Sequence, residues 1–367
     1  MKYYLIKNEL RKCFLRSTYT LHPERSDGLL TTDDYYQAKN LIEIEELVYE
    51  IIKSEGVLFY IGKGVLGRKA VDYNNPKIFF DIMRMSKSIY HKEILSSFPI
   101  HSFNPYVKLF YKNVQDKLGW DISFTYNKSD DDVVKMVDIL NNFIDSIRKE
   151  AKSPQFKSAI NNYNRPSNKN YKSLMECIDK LYDKHSRLMV LRIDFGYKKD
   201  NHFPSEKVRN EKYLQAVNDR EHFFNNMRKN KLFKHMLGYA WKLEYGFEKG
   251  FHYHMFFFFD GSKRWQDKYR AKIIGEYWQN TITQGKGLFH SCNANKDNYN
   301  YLGIGIINAS DTKLREGLEM ATQYFTKADS IGVRMIAPEN GRTFGKGEVK
   351  PKTNKGRPRG GIHSDLT

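Results

Sequence analysis

The sequence predicts an α+β protein: an antiparallel sheet with helices packed on it, of the split βαβ kind, behind a mainly helical N-terminal region. Two observations carry this. Up to about residue 150 the apolar residues recur at helical spacing, whereas beyond about residue 185 strand-like and helix-like stretches follow in the order β-α-β-β-α-β-α. Within that second part, "LGYAWKLEYG" and "FHYHMFFFFD" are two strands with only "FEKG" between their ends.

In chain order, "DDYYQAKNLIEIEELVYEIIKSEG" places Leu41, Ile44, Val48 and Ile51 at helical spacing, with Asp33 positioned to cap. "DDDVVKMVDILNNFIDSIRKEA" is a second helix. "KSPQFKSAINNYNRPSNKN" (152–170) is polar and carries two prolines, which predicts a linker or exposed loop and a domain boundary. The division expected is 1–170, a mainly helical region; 171–340, the sheet domain; and 341–367, a basic, flexible tail rich in Gly, Pro, Lys and Arg. In the sheet domain "RLMVLRIDF" is a strand and "SEKVRNEKYLQAVNDREHFFNNMRKN" a helix. The hairpin follows, then a helix over about 264–281, a strand "YNYLGIGIIN" and a helix "DTKLREGLEMATQYFTKAD".

Composition narrows function. With 40% hydrophobic and 14% aromatic residues the 367-residue chain can build real cores. Its 61 Lys and Arg against 43 Asp and Glu leave a net charge of +18, which points to a polyanionic partner, nucleic acid ahead of an anionic membrane. No apolar run approaches the roughly 20 residues of a membrane span, and "MKYYLIKNELRKC" lacks the apolar core of a secretory signal, so a cytoplasmic location is expected. Cys13, Cys177 and Cys292 are far apart and form no CxxC pair, which excludes a disulfide framework or zinc knuckle.

Side chains alternate along a strand, so His252, His254, Phe256 and Phe258 share one face and Tyr253, Met255, Phe257 and Phe259 the other. Both faces beyond the histidines are apolar, which indicates an interior strand. A three-residue connection, Phe247 to Lys249, with Gly250 in the left-handed conformation, pairs 246 with 250 and 244 with 252. Glu244 then lies opposite His252 and diagonal to His254. Two imidazoles and a carboxylate suit a divalent cation such as Mn²⁺ or Mg²⁺ with positions left for substrate oxygens. Glu248, at the loop tip, is the competing carboxylate. An H-x-H pair taken alone is more readily two hydrogen-bonded core or half-exposed histidines, but a partnerless pair in apolar surroundings is costly to bury. In the last helix Tyr324 and Lys327 stand three apart on one face, beside the apolar stripe of Leu314, Leu318, Ala321 and Phe325.

"WKLEYG", "GFHYHMFFFF", "YFTK" and the tail "RTFGKG...KGRPRG", in that order, resemble the HUH endonuclease superfamily, and within it the replication-initiation proteins of filamentous phages (inoviruses) and their prophage relatives. The resemblance covers about residues 185–360. It implies that His252 and His254 are metal ligands, Glu244 the third ligand for Mn²⁺ or Mg²⁺, Tyr324 the nucleophile and Lys327 the charge beside it. It also implies nicking of single-stranded origin DNA through a 5′-phosphotyrosine link in rolling-circle replication. The setting would be a bacterial host's cytoplasm, with host helicase and replication proteins as further partners. "LMVLRIDF" matches the family's first motif poorly, and Asp194 receives no role. Met320 and Ala328 stand one turn from Tyr324, so the pattern is that of a single-tyrosine enzyme.

Lys and Arg contacts to phosphates account for the charge, and Trp241, Trp265 and Tyr299 are candidate stacking surfaces, although core packing explains each of them singly. Lys350, Lys352, Lys355, Arg357 and Arg359 of the tail are candidate phosphate contacts. Other readings remain. "VYEIIKSEGVLFYIGKGVLGR" is somewhat like the GIY-YIG nucleases, with Tyr49, Tyr60 and Arg68, but Tyr49 has helical surroundings where that family needs a strand. A histidine-triad phosphohydrolase lacks its third histidine, since position 256 is Phe. A non-catalytic DNA-binding regulator with the same fold is the alternative outside enzymes.

Overall fold

The computed structural model describes residues 33–64, 67–122, 129–198, 205–246, 249–299, 301–327 and 332–348, with Arg11 and the short strands β1 (Thr20–Leu21) and β2 (Leu29–Leu30). The protein is α+β with antiparallel sheets, and its N-terminal region is helical.

That region holds α1 (Asp33–Lys53), the hairpin β3 (Phe59–Lys63) and β4 (Lys69–Tyr73), α2 (Pro76–Met85), α3 (Ser88–Ser97), β5 (His101–Phe103), α4 (Pro105–Asn113) and α5 (Asp130–Lys152). The expected apolar stripe of α1, Leu41, Ile44, Val48 and Ile51, is fully buried against Ile82, Ile94, Phe110, Leu140 and Phe143. The Asp33 side chain lies outside the described residues. At α5, Ser129 caps the helix in a capping box with Asp132, three acids fill the first turn, and Lys149 and Lys152 the last. Each end therefore matches the helix dipole.

Residues 152–170, expected as a loop, instead open one 29-residue helix, α6 (Pro154–Tyr182), and position 170 falls inside it. The physical reason lies in the two prolines. Pro154 occupies the first helical turn, after the Ser153 cap, where a missing N–H costs nothing. Pro166 does interrupt the hydrogen-bond ladder, but the buried Tyr163, Ser167, Leu174 and Ile178 hold the helix on both sides of it.

The sheet domain continues with β6 (Arg187–Tyr197), α7 (Glu206–Met227), β7 (Met236–Gly246), β8 (Gly250–Asp260), α8 (Asp267–Tyr277), β9 (Gly287–Ser291), β10 (Gly305–Asn308), α9 (Thr312–Lys327), β11 (Val333–Met335) and β12 (Phe344–Lys346). The strand order is β10-β6-β8-β7-β12, with β9 also paired to β6 and every neighbour antiparallel. It follows that β6 and β7 run parallel on either side of β8. The interior strand expected at 251–260 is β8, whose residues from Phe251 to Phe259 are all buried. One sheet face packs on α7 and α8 through Phe195, Leu243, Tyr253, Phe257, Phe223 and Ile274. The other packs on α6 and α9 through Val190, Phe256, Phe258, Ile178, Leu318 and Phe325, with the expected Leu314 and Ala321 beside them. Three short strands, β9, β11 and β12, add to the expected order. The last of these makes residues 344–346 of the expected flexible tail a sheet edge, and residues 349–367 lie outside the described residues.

The halves are joined. α5 and α6 are separated only by Ser153, β11 pairs with β5, and Tyr324 of α9 packs on the N-terminal core. Cys177 and Cys292 are buried and free, and Cys13 lies outside the described residues. Among the described residues no helix is long and apolar enough to cross a membrane.

Candidate metal centre

The β7–β8 hairpin sets the geometry. Gly246 pairs with Gly250, Glu244 with His252 and Lys242 with His254, as the three-residue connection requires. Gly250 has φ +65°, the left-handed region a glycine enters at no steric cost. Glu248 lies outside the described residues. On the far side of β8, Asp194 of β6 pairs with His254, and His290 of β9 pairs with Asp194. A row Lys242, His254, Asp194, His290 therefore crosses one face of the sheet, with Glu244 and His252 in the next row.

Both imidazoles are anchored through Nδ1. His252 Nδ1 donates to the Gly250 carbonyl at 3.0 Å, an oxygen that can only accept, and His254 Nδ1 donates to Asp194 Oδ1 at 2.6 Å. Each Nε2 is then turned toward Glu244 Oε2, at 3.7 Å from His252 and 3.1 Å from His254. One ligand atom from each of Glu244, His252 and His254 lies within 4.8 Å of the others. His252 Nε2 is buried without a hydrogen-bond partner. A buried acceptor nitrogen of this kind, beside a carboxylate and with its ring fixed through the other nitrogen, fits a bound cation. These three residues could hold a divalent metal ion.

The electrostatics are strongly coupled. Burial opposes the charge on Glu244, but Lys242, whose Nζ lies 2.6 Å from Oε1, and His254 outweigh it and hold the carboxyl well below its usual range. Burial likewise works against charge on His254, yet Asp194 and Glu244 raise its imidazole to about 9. Asp194 is held low despite its burial, chiefly by His254. His252 is lowered by burial and stays neutral, the form a metal ligand needs. From the N-terminal half, His101 approaches the end of β7, its ring centroid 6.3 Å from that of Tyr245. Desolvation lowers it to about 4.

The predicted Tyr324 sits on α9 directly before Phe325, whose ring lies 4.7 Å from that of Phe256, two residues beyond His254 in β8. The helix thus covers the face that carries the histidines. Tyr324 itself is half-buried against the N-terminal core, and its hydroxyl is buried. Lys327 ends the helix, and its side chain lies outside the described residues. Of the candidate stacking aromatics, Trp241 is buried under Arg220, whose guanidinium lies 4.3 Å from the ring, while Trp265 is 70% exposed and Tyr299 lies at the surface. The five basic tail residues lie outside the described residues.

Sequence reasoning missed Asp194, His290 and Lys242. For Lys242 a signal existed, since it stands two residues before Glu244 and so shares its face. Asp194 and His290 come from strands whose register no local turn reveals.

Fold and site together define an α+β protein with a His-His-Glu arrangement capable of holding a metal ion. Residues 149–347, more than half of the chain and including all of α6, match the family model described as YagK/YfjJ C-terminal domain, and the chain belongs to that family of prophage-type bacterial proteins. No curated protein and no solved structure matches it.

Proposed function

We propose that the protein is an HUH-type DNA nickase that opens single-stranded origin DNA for rolling-circle replication, with Tyr324 as nucleophile. The observation that carries this reading is the convergence of His252 Nε2 and His254 Nε2 on Glu244 Oε2, on the sheet face covered by the helix bearing Tyr324. The parallel pair β6 and β7 with β8 inserted between them is the arrangement a split βαβ fold of this superfamily would have. A net charge of +18 suits a polyanionic substrate.

Bound at Glu244, His252 and His254, Mn²⁺ or Mg²⁺ would supply Lewis-acid help at a nonbridging oxygen of the scissile phosphate. The remaining work belongs to the chain. Asp194 and the Gly250 carbonyl hold both imidazoles with Nε2 toward the site. Tyr324 Oη attacks phosphorus, forming the P–Oη bond as the P–O3′ bond breaks. Its phenolic proton is lost to solvent under the influence of the Lys327 ammonium, and the leaving O3′ takes up a proton to become a free hydroxyl. The exchange of one phosphoester for another conserves the linkage, so rejoining needs no ATP.

The burial of the Tyr324 hydroxyl against the N-terminal core favours a second reading, a DNA-binding regulator that keeps the fold without catalysis. Incubation with supercoiled origin-bearing DNA and Mn²⁺ or Mg²⁺ separates the two. The nickase converts supercoiled to open-circular DNA and is inactive with chelator or as Tyr324→Phe. The regulator binds that DNA and leaves it closed under every condition.

A further inference from the structure

The helix α6 carries a feature that the metal centre does not use. From Ala151 to Met175 the chain contains no Asp or Glu. In a helix of 3.6 residues per turn, Lys157, Asn161, Arg165, Asn168 and Lys172 fall within an arc of about 80°, with Lys169 at its margin. All six are exposed. The opposite face is fixed to the protein: Tyr163 donates to the Ser102 carbonyl at 3.4 Å, Tyr171 donates to Glu319 of α9 at 2.9 Å, and Leu174, Ile178 and Leu181 enter the core. The stripe is therefore held outward on a rigid helix and runs about 22 Å at 1.5 Å per residue.

Several cations elsewhere on the surface are paired with acids, as in Lys77 with Glu50 at 2.6 Å, Lys112 with Glu150 at 2.7 Å and Arg315 with Asp179 at 3.0 Å. Among the described residues no ion pair involves Lys157, Arg165, Lys169 or Lys172; Arg165 meets only the neutral Asn162 side chain, at 3.0 Å. From Lys157 to Lys172 the four cations are interleaved with amides and share their face with no acid, the first acids on it being Glu176 and Asp179 beyond the stripe, so they are arranged to accept phosphate oxygens. We infer that the outer face of α6 is a binding surface for the phosphate backbone of DNA, read by charge and not by base sequence. An anionic membrane fits less well, because none of the exposed large apolar side chains lies on α6 and its apolar face is already buried in the protein. The identity of the polyanion rests on the functional reading above; the surface itself does not depend on Tyr324.

The test uses the full chain and a fluorescent single-stranded oligonucleotide of mixed sequence, titrated by anisotropy across a range of salt concentrations. The variant Lys157→Gln, Arg165→Gln, Lys169→Gln, Lys172→Gln removes four charges and keeps good helix formers. At about 0.7 per phosphate contact, the slope of log K against log salt should fall by about 3, and affinity at 0.1 M salt by well over tenfold. A scattered control, Lys92→Gln, Lys117→Gln, Lys207→Gln, Lys229→Gln, removes the same charge from exposed positions and should leave the slope nearly unchanged. Equal losses in both variants, or a wild-type slope in the α6 variant, overturns the inference. So does unchanged DNA binding accompanied by loss of binding to vesicles containing anionic lipid. Should thermal unfolding show that the quadruple variant is not folded, Lys157→Gln with Lys172→Gln is expected to remove about half of the slope change, and a wild-type slope there overturns the inference equally. Covalent adduct formation at saturating DNA should persist in the variants. A slope loss together with no adduct in wild type would retain this surface and remove the nicking reading.

Discussion

Replacing Asp194 by Asn removes the charge 2.6 Å from His254 Nδ1 and keeps the shape of the side chain. In the metal-free protein Asp194 and Glu244 together raise His254 from 6.5 to about 9 against the cost of burial. That rise corresponds to about 3 kcal/mol favouring the protonated ring. A metal ion can take Nε2 only after this proton leaves, so at pH 7.5 wild type should release close to one proton per Mn²⁺ bound. Without the Asp194 charge the pKa falls back toward 6.5, and the variant should release well under half a proton. Calorimetric titrations in buffers of different ionisation enthalpy measure this number directly. The same linkage acts on stability. A raised pKa contributes fully below about 6.5 and is lost as pH rises through about 9, so metal-free wild type should lose about 3 kcal/mol across that window, and Asp194→Asn distinctly less. Equal proton release from both proteins, or none from either, would refute the coupling of Asp194, His254 and the metal position.

Other outcomes follow from the same geometry. His252→Ala or His254→Ala should abolish metal-dependent nicking and leave DNA affinity within a few fold, read by plasmid relaxation and by filter binding, because backbone contacts supply most of the affinity. Phe256→Ala should cost about 3 to 5 kcal/mol in denaturant unfolding, since a fully buried ring between Phe258 and Phe325 would leave a cavity. Removing residues 350–367 should lower the salt slope of DNA binding without lowering the unfolding midpoint, whereas a deletion beginning at 342 should also destabilise, because it removes β12 from the sheet edge.

The parts of the site that lie on one hairpin were legible in the sequence. The loop length and Gly250 fix the register, and side-chain alternation then brings Glu244 to His252 with no knowledge of anything distant. Asp194 was not legible, because it reaches His254 from a strand some sixty residues earlier that joins β8 through no turn of its own. The helix α6 departs from the expected loop because Pro154 and Pro166 signal a break locally, while the packing that overrides them comes from the N-terminal core at Phe156 and, further along, from α9 and the sheet. Trp241 could have been placed: it alternates with Lys242 and so faces away from Glu244, into the core beneath α7. The apolar stripe of α9 was readable from its spacing, but the N-terminal core that covers Tyr324 was not, since no periodicity within α9 reveals what packs against it.

Tyr324 is the residue on which the proposed chemistry turns. Wild-type protein incubated with single-stranded origin DNA and Mn²⁺, digested with nuclease and then trypsin, and analysed by mass spectrometry reports directly which side chain holds the phosphate. The account predicts nucleotide mass on the peptide Glu316–Lys327, localised to Tyr324 and absent from Tyr324→Phe. Nucleotide mass on any other tyrosine, or on the Phe variant, or on no peptide across origin-bearing DNA, would contradict it.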